Sequence, residues 1–184
     1  MPSFKSFDIF LGGPGSGKDT QAQLLVSRHG FELMPIGELL RTYAKTNTKV
    51  EQQLDSGMLV DDAIVNEAVM LQLQQYNSTD RIIADGFPRN VSQAKWLSEV
   101  LIANNQTISH VFWLKIDRDE AQRRLAKRGR DDDLSHLVDR RFSVYETQTL
   151  PVVEYFRQKE FVVEVDGQQS VEDVYKVIER EINR

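Results

Sequence analysis

Nine residues, Gly12-Gly13-Pro14-Gly15-Ser16-Gly17-Lys18-Asp19-Thr20, carry the densest chemistry in this chain. Their glycines let backbone N–H groups converge on one point without Cβ clashes. Phe7-Asp8-Ile9-Phe10-Leu11 before them reads as a short apolar strand, and Gln21-Ala22-Gln23-Leu24-Leu25-Val26 after them as the start of a helix. A strand, a Gly-rich turn and a helix N-terminus form a cradle for phosphate. The N–H donors point at the anion, and the partial positive charge of the helix end attracts it. From this turn Lys18 can reach the terminal phosphates of a nucleotide, and Thr20 offers a hydroxyl to Mg²⁺. The pattern is that of a nucleotide-binding P-loop.

One position departs from the commonest form of the motif. Many P-loops place Ser or Thr directly after the lysine; here that residue is Asp19, and Thr20 follows. A carboxylate at the mouth of a phosphate site either points away along the first helical turn, touches Mg²⁺, or weakens nucleotide binding. Acids in a first turn are stabilised by the helix dipole, so the expectation is that Asp19 points away.

Charge elsewhere suits the same chemistry. Arg81-Ile82-Ile83-Ala84-Asp85-Gly86 reads as a buried strand ending in an acid, and an acid there can hold Mg²⁺ through water. Phe87-Pro88-Arg89 follows, a Pro-stiffened loop whose arginine is suited to grip a second phosphate bidentately. Arg124 and Arg128 are four apart on one helix face, with Arg130 and Arg141 beyond them. Phosphoryl transfer needs positive charge over the migrating group, which arginines supply. Asp131-Asp132-Asp133 is a solvated loop or a partner for these arginines when a lid closes. His29, His110 and His136 have no metal-ligand spacing and read as structural, and Trp96 and Trp113 as core.

These residues need a scaffold, and the patterning supplies one. Apolar strand candidates at 7–11, 31–35, 81–85, 108–116 and 161–165 alternate with amphipathic helices. Ile64, Ala68 and Leu71 recur at helical spacing, as do Val171, Val174, Ile178 and Ile182, with Ser170 and Asp173 as a capping box. Another helical pattern runs from Val138 to Phe156, with Pro151 marking a kink or break. The alternation predicts an α/β fold, a parallel sheet covered by helices on both faces. Residues 37–76 hold helices but no strand and form an insertion. The 184 residues fit one domain, and 40% apolar content supports a core. There is no cysteine, which removes disulfides, thiol catalysis and Cys-based zinc sites. Net charge is −5 with acids and bases interspersed, so neither a nucleic-acid stripe nor a membrane face is expected. Without a signal-peptide core or a spanning apolar run, a cytoplasmic protein is expected.

In combination these motifs resemble the adenylate kinase family of nucleoside monophosphate kinases, of the short-lid type. The resemblance rests on Gly12 to Lys18 with Thr20-Gln21, on Ile36-Gly37-Glu38-Leu39-Leu40-Arg41, and on Gly57-Met58-Leu59-Val60-Asp61-Asp62. Asp85-Gly86-Phe87-Pro88-Arg89 matches the family's most specific signature, and similarity continues through Lys127-Arg128-Gly129, Arg130-Asp131-Asp132-Asp133, Arg140-Arg141-Phe142 and Asp166-Gly167. It implies a P-loop NTPase fold with a five-stranded parallel sheet. The core would comprise residues 1–35, 77–127 and 138–184, the monophosphate-binding insertion 36–76, and a very short lid 128–137. It implies transfer of the γ-phosphoryl of ATP to AMP, giving two ADP, with Mg²⁺ accompanying ATP, no zinc, and a monomer. Gly13, Pro14, Gly15, Ser16, Gly17, Lys18, Asp19, Thr20, Arg124 and Arg128 would bind ATP. Lys18 would stabilise the transferring phosphoryl and Arg124 would lie over the ATP base. Arg41 and Arg89 would hold the acceptor phosphate, and Arg128, Arg130 and Arg141 would grip phosphates as the lid shuts. Lys18, Arg89, Arg124, Arg130 and Arg141 make up the catalytic set. Ile36, Gly37, Leu59, Val60, Gly86 and Gln93 would complete the acceptor site, Gln93 reading adenine, and Asp85, with Thr20, would serve Mg²⁺.

The chain departs from the family pattern in four places. Asp19 replaces the usual glycine, and Ile36 replaces a threonine lining the AMP base site. Asn90 is more like the UMP/CMP-specific branch, and the lid is shorter than in short-lid members. The alternatives are therefore a UMP/CMP kinase, another small-acceptor P-loop kinase, or a nucleotide-binding module of low activity. A GTPase switch needs an Asn-Lys-x-Asp segment to read guanine, and no Asn here precedes Lys.

Overall fold

The computed structural model describes residues 4–129 and 135–184, and for Ser135 and His136 the backbone only. Five parallel strands form one sheet in the order β2-β3-β1-β4-β5. They are β1 (Ser6–Gly12), β2 (Glu32–Pro35), β3 (Arg81–Asp85), β4 (His110–Lys115) and β5 (Val162–Asp166). The strand expected at 81–85 is found there, and the other four differ at their ends by a residue or two, where hydrogen bonding fades. Register places Phe10 beside Asp85 on one flank and beside Phe112 on the other.

Both faces of the sheet are covered, which is why its strands read as apolar runs rather than alternating ones. Phe7, Ile9 and Leu11 pack into one layer with Leu97, Leu101, Val152 and Phe156. These come from helices α5 (Val91–Ala103) and α8 (Leu150–Arg157). Phe10, Phe112 and Leu114 point the other way, onto Leu25 of α1 (Lys18–His29) and Val174 and Ile178 of α9 (Val171–Ile182). The period-2 switch between Ile9 and Phe10 builds both layers from one strand.

Between β2 and β3 lie only helices: α2 (Ile36–Ala44), α3 (Thr48–Asp55) and α4 (Asp62–Leu73). The buried stripe of α4 is Val65, Val69 and Leu73, one or two positions removed from the expected Ile64, Ala68 and Leu71, and Leu71 is 57% exposed. Apolar residues nearly encircle this helix, so spacing alone does not choose its inner face. In α9, likewise, Val174, Tyr175 and Ile178 are buried, whereas Val171 is half exposed. Ser170 caps α9 by accepting from the Asp173 N–H, and its hydroxyl donates to the Asp173 carboxylate.

Helix α6 (Arg118–Arg128) follows β4, and α7 (Ser135–Val144) leads into a π-helical turn, Tyr145–Thr149, before α8. The break expected at Pro151 thus falls just ahead of it, as a widened turn. Proline lacks an N–H and crowds the carbonyl four residues back, and the wider turn relieves both problems. Trp113 is only partly buried and donates its indole N–H to the Tyr145 hydroxyl at 2.9 Å. His29 pairs with Glu179 and His110 with the buried Asp8, both structural contacts; the side chain of His136 lies outside the described residues.

Candidate active site

A parallel sheet presents its ligand crevice at the carboxyl ends of its strands, where the chain winds to opposite sides. Here β1 ends at Gly12 and its neighbour β3 at Asp85. Between them opens a cleft of about 1590 Å³. Pockets for a single small ligand span about 300–1,000 Å³, so this one has room for two.

The Gly-rich turn forms one wall. Gly15 has φ +77°, and a Cβ there would stand 2.8 Å from the Ala121 carbonyl. The turn therefore packs against α6 as only glycine allows. The Ser16 hydroxyl oxygen is buried without a hydrogen-bond partner. Lys18 opens α1, and its side chain enters the cleft. At the end of β3, one oxygen of Asp85 is buried and unpartnered. Burial pushes the Asp85 carboxyl above the usual range, and nearby Lys18 opposes that rise.

Asp19 corrects the expectation from its helix position. Its carboxylate does not turn away: Oδ1 lies 3.6 Å from Lys18 Nζ, and its charge helps raise the Asp85 carboxyl. The helix dipole favours an acid anywhere in the first turn; the ammonium beside it chooses the side. This negative charge therefore lines the cleft beside the Gly-rich turn, where it opposes a bound phosphate. Asp19→Gly should tighten ATP binding roughly tenfold, the effect of removing a like charge worth about 1–2 kcal/mol at partly solvated range. Glycine in a helix costs up to about 1 kcal/mol, so the melting temperature should drop slightly. ATP titration with and without Mg²⁺ checks this. A gain only without Mg²⁺, with lowered turnover, would show that Asp19 serves the metal instead.

The arginines converge on the same space. Arg89 Nε donates to the Gly86 carbonyl at 2.8 Å, and the Thr149 hydroxyl holds the Arg89 carbonyl at 2.9 Å. The guanidinium meets solvent through the open cleft, yet surrounding protein pushes its pKa below the ordinary range, against the pull of Asp85. Arg124 donates from Nε to Glu120 at 2.7 Å and from Nη1 to the Gly167 carbonyl at 2.8 Å. Arg41, Arg128 and Arg141 also line the cleft. So do Thr20, Ile36, Gly37, Leu59, Val60, Gly86 and Gln93. Gly13 and Pro14 are buried and do not reach its surface. Arg130 and the Asp131-Asp132-Asp133 run lie outside the described residues.

A P-loop, an acid at the adjacent strand end and several arginines thus meet in one cleft. The adenylate kinase family model matches residues 10–161. The chain belongs to the adenylate kinase family. It is 39% identical over 175 residues to adenylate kinase of Synechococcus sp. (strain CC9311), covering 93% of this chain and 95% of the relative. Similarity to adenylate kinase 1 of a Nostoc species is 37% over 170 residues, spanning 90% and 92% of the two chains. Adenylate kinase of Azobacteroides pseudotrichonymphae is 36% identical over 181 residues, covering 94% and 95%.

Within this adenylate kinase architecture several supporting residues escape a reading of the sequence. Glu120 holds Arg124 and sits four residues before it, a spacing that could have flagged the pair. Thr149 bonds the Arg89 loop across 60 residues, and no local signal announces that. Asn90, one of the departures from the family pattern, is used structurally. Its Oδ1 accepts from the Gln93 N–H at the start of α5, and its Nδ2 donates to Asp62. Among the described residues no helix is long and apolar enough to cross a membrane, and no group of three His, Cys, Asp or Glu side chains could hold a metal.

Proposed function

We propose that this chain transfers the γ-phosphoryl of ATP to AMP, forming two ADP. The observation that carries the reading is one cleft in which the P-loop lysine, Asp85 and the side chains of Arg41, Arg89, Arg124, Arg128 and Arg141 meet. No side chain needs to become a covalent nucleophile. An oxygen of the acceptor phosphate attacks in line, and the protein contributes position and charge.

In this reading the Gly15–Lys18 backbone and side chain hold the ATP phosphates. Arg124, fixed by Glu120 and the Gly167 carbonyl, lies at the nucleoside end of ATP. Arg89 and Arg41 hold the acceptor phosphate, and Arg128 and Arg141, joined by Arg130, close over the transferring group. The insertion 36–76 supplies the acceptor side of the cleft. The donor set suits Mg²⁺, a hard cation that keeps several waters and takes one or two carboxylates together with substrate phosphates. The unpartnered Asp85 oxygen would hold it through water, and Thr20, which also lines the cleft, would offer its hydroxyl; the metal would neutralise charge between the phosphates. One chain supplies both subsites, which suits a monomer, and a cytoplasmic setting belongs to the same reading.

Gln93 is the group assigned to the acceptor base. A side-chain amide offers a donor and an acceptor side by side, matching the amino group and adjacent ring nitrogen of adenine. Leaving those polar groups unpaired in a desolvated pocket costs about 1–3 kcal/mol. A coupled assay of ADP formation with AMP, IMP, CMP, UMP and GMP as acceptors tests the assignment. AMP should be preferred, and Gln93→Ala should lower its kcat/KM advantage over IMP by roughly tenfold or more. Preference for UMP or CMP in the native enzyme would instead make this a pyrimidine nucleotide kinase.

A further inference from the structure

Gln93 is almost wholly buried, 2% exposed, yet reaches the cleft. Its amide has two neighbours whose hydrogen-bonding roles cannot be exchanged. The backbone N–H of Arg89 can only donate, and it meets Oε1 at 2.8 Å. The carboxylate of Asp62 can only accept when ionised, and its Oδ1 meets Nε2 at 2.8 Å. An amide turned over would set N–H against N–H at Arg89 and oxygen against oxygen at Asp62. The two contacts together fix which end of the amide is oxygen. They leave one N–H and one oxygen lone pair for a ligand.

Asp62 is not among the residues that line the cleft. It opens α4, the last helix of the insertion, 31 residues from Gln93. The same Oδ1 also accepts from Asn90 Nδ2 at 2.8 Å. Asn90 in turn caps the helix on which Gln93 sits by accepting the Gln93 N–H. One carboxylate from the insertion thus holds the side chain of Gln93 directly and steadies its backbone through Asn90.

We infer that Asp62 is a positioning residue for base selection: it locks the Gln93 amide in the sense that accepts an amino group and donates to a ring nitrogen. This rests on the reading of Gln93 as the group that meets the acceptor base. A 6-amino purine presents a donor beside an acceptor. A 6-oxo purine presents the reverse order, an acceptor beside an N1–H donor. With the amide sense fixed, AMP pairs and IMP sets like against like. Without Asp62 only the Arg89 N–H still favours this sense, so turning the amide to admit the oxo edge opposes one contact instead of two.

Steady-state kinetics with AMP and IMP on the full chain tests this. Asp62→Leu removes the acceptor. It should raise KM for AMP about tenfold and cut the AMP-to-IMP ratio of kcat/KM by a similar factor. The loss should fall mainly on KM rather than kcat, with KM for ATP within twofold of its starting value. Asp62→Asn keeps an oxygen facing Nε2 and should restore most of the ratio. In a Gln93→Ala background, Asp62→Leu should change the ratio no further, because its route to the base is gone. If Asp62→Leu does not fold, Asp62→Ser, whose hydroxyl is one bond too short to reach Gln93, is measured in its place. A wild-type ratio in Asp62→Leu, or in Asp62→Ser where that replaces it, alongside a collapsed ratio in Gln93→Ala, overturns the role of Asp62 while leaving that of Gln93 intact. An unchanged ratio in Gln93→Ala itself removes the base-reading assignment and this inference with it.

Discussion

Lys18→Ala should lower turnover about a thousandfold while shifting the melting temperature by no more than a few degrees. The lysine opens α1, its side chain is 17% exposed, and its charge acts on the Asp85 carboxyl, which has a buried, unpartnered oxygen. Removing one preorganised charge from a transferring phosphoryl costs about 4 kcal/mol of transition-state stabilisation, which is about a factor of a thousand. The loss should appear in kcat as well as in kcat/KM, because the contact strengthens as charge redistributes in the transition state. Alanine is a good helix former at this position, and Lys18 packs no core, so the fold should stand. Rates from quenched samples and a thermal melt on the same preparation check both halves. Turnover within tenfold of the native enzyme, with normal stability, would remove Lys18 from the chemistry.

Arg89→Ala should cost on the order of a hundredfold in kcat/KM for AMP and much less for ATP. Losing a charge-assisted, bidentate contact to a phosphate costs about 3 kcal/mol. The guanidinium is held at the Gly86 carbonyl and its backbone is anchored by Gln93 and Thr149, so it is preorganised before substrate arrives. Arg89→Lys should recover little, since an ammonium has the charge without the planar fork. Initial rates with each substrate varied in turn decide the matter. If KM for ATP rises and KM for AMP does not, the donor and acceptor subsites are reversed.

How much of this was legible in the chain differs from residue to residue, for physical reasons. The phosphate cradle was legible because its parts are contiguous: a strand, glycines that must adopt positive φ, a lysine and a helix start within about fifteen residues. Asp85 and Arg89 were legible for the same reason, as a buried strand running into a Pro-stiffened loop. The sheet followed from its apolar runs, since burial on both faces leaves a composition signal. What depends on side chains meeting across the fold was not legible. The direction of Asp19 is set by the ammonium beside it, against the repulsion of the Asp85 carboxylate at the end of β3, so the helix position alone pointed the wrong way. The inner face of α4 could not be chosen from spacing because its apolar residues nearly encircle it. The Asp62–Gln93 and Thr149–Arg89 contacts join segments 31 and 60 residues apart, and nothing local encodes them.

The central claim is direct transfer between two nucleotides held in one cleft, and phosphorus NMR of a mixture of ATP, AMP, Mg²⁺ and enzyme tests it most directly. ATP and AMP should disappear in equal amounts, ADP should appear at twice the rate of either loss, and no inorganic phosphate should accumulate. Starting from ADP alone, the same enzyme should run the reaction backwards to the same equilibrium mixture. ATP consumed with release of inorganic phosphate while AMP persists would contradict the claim and leave a nucleotide-binding hydrolase in its place.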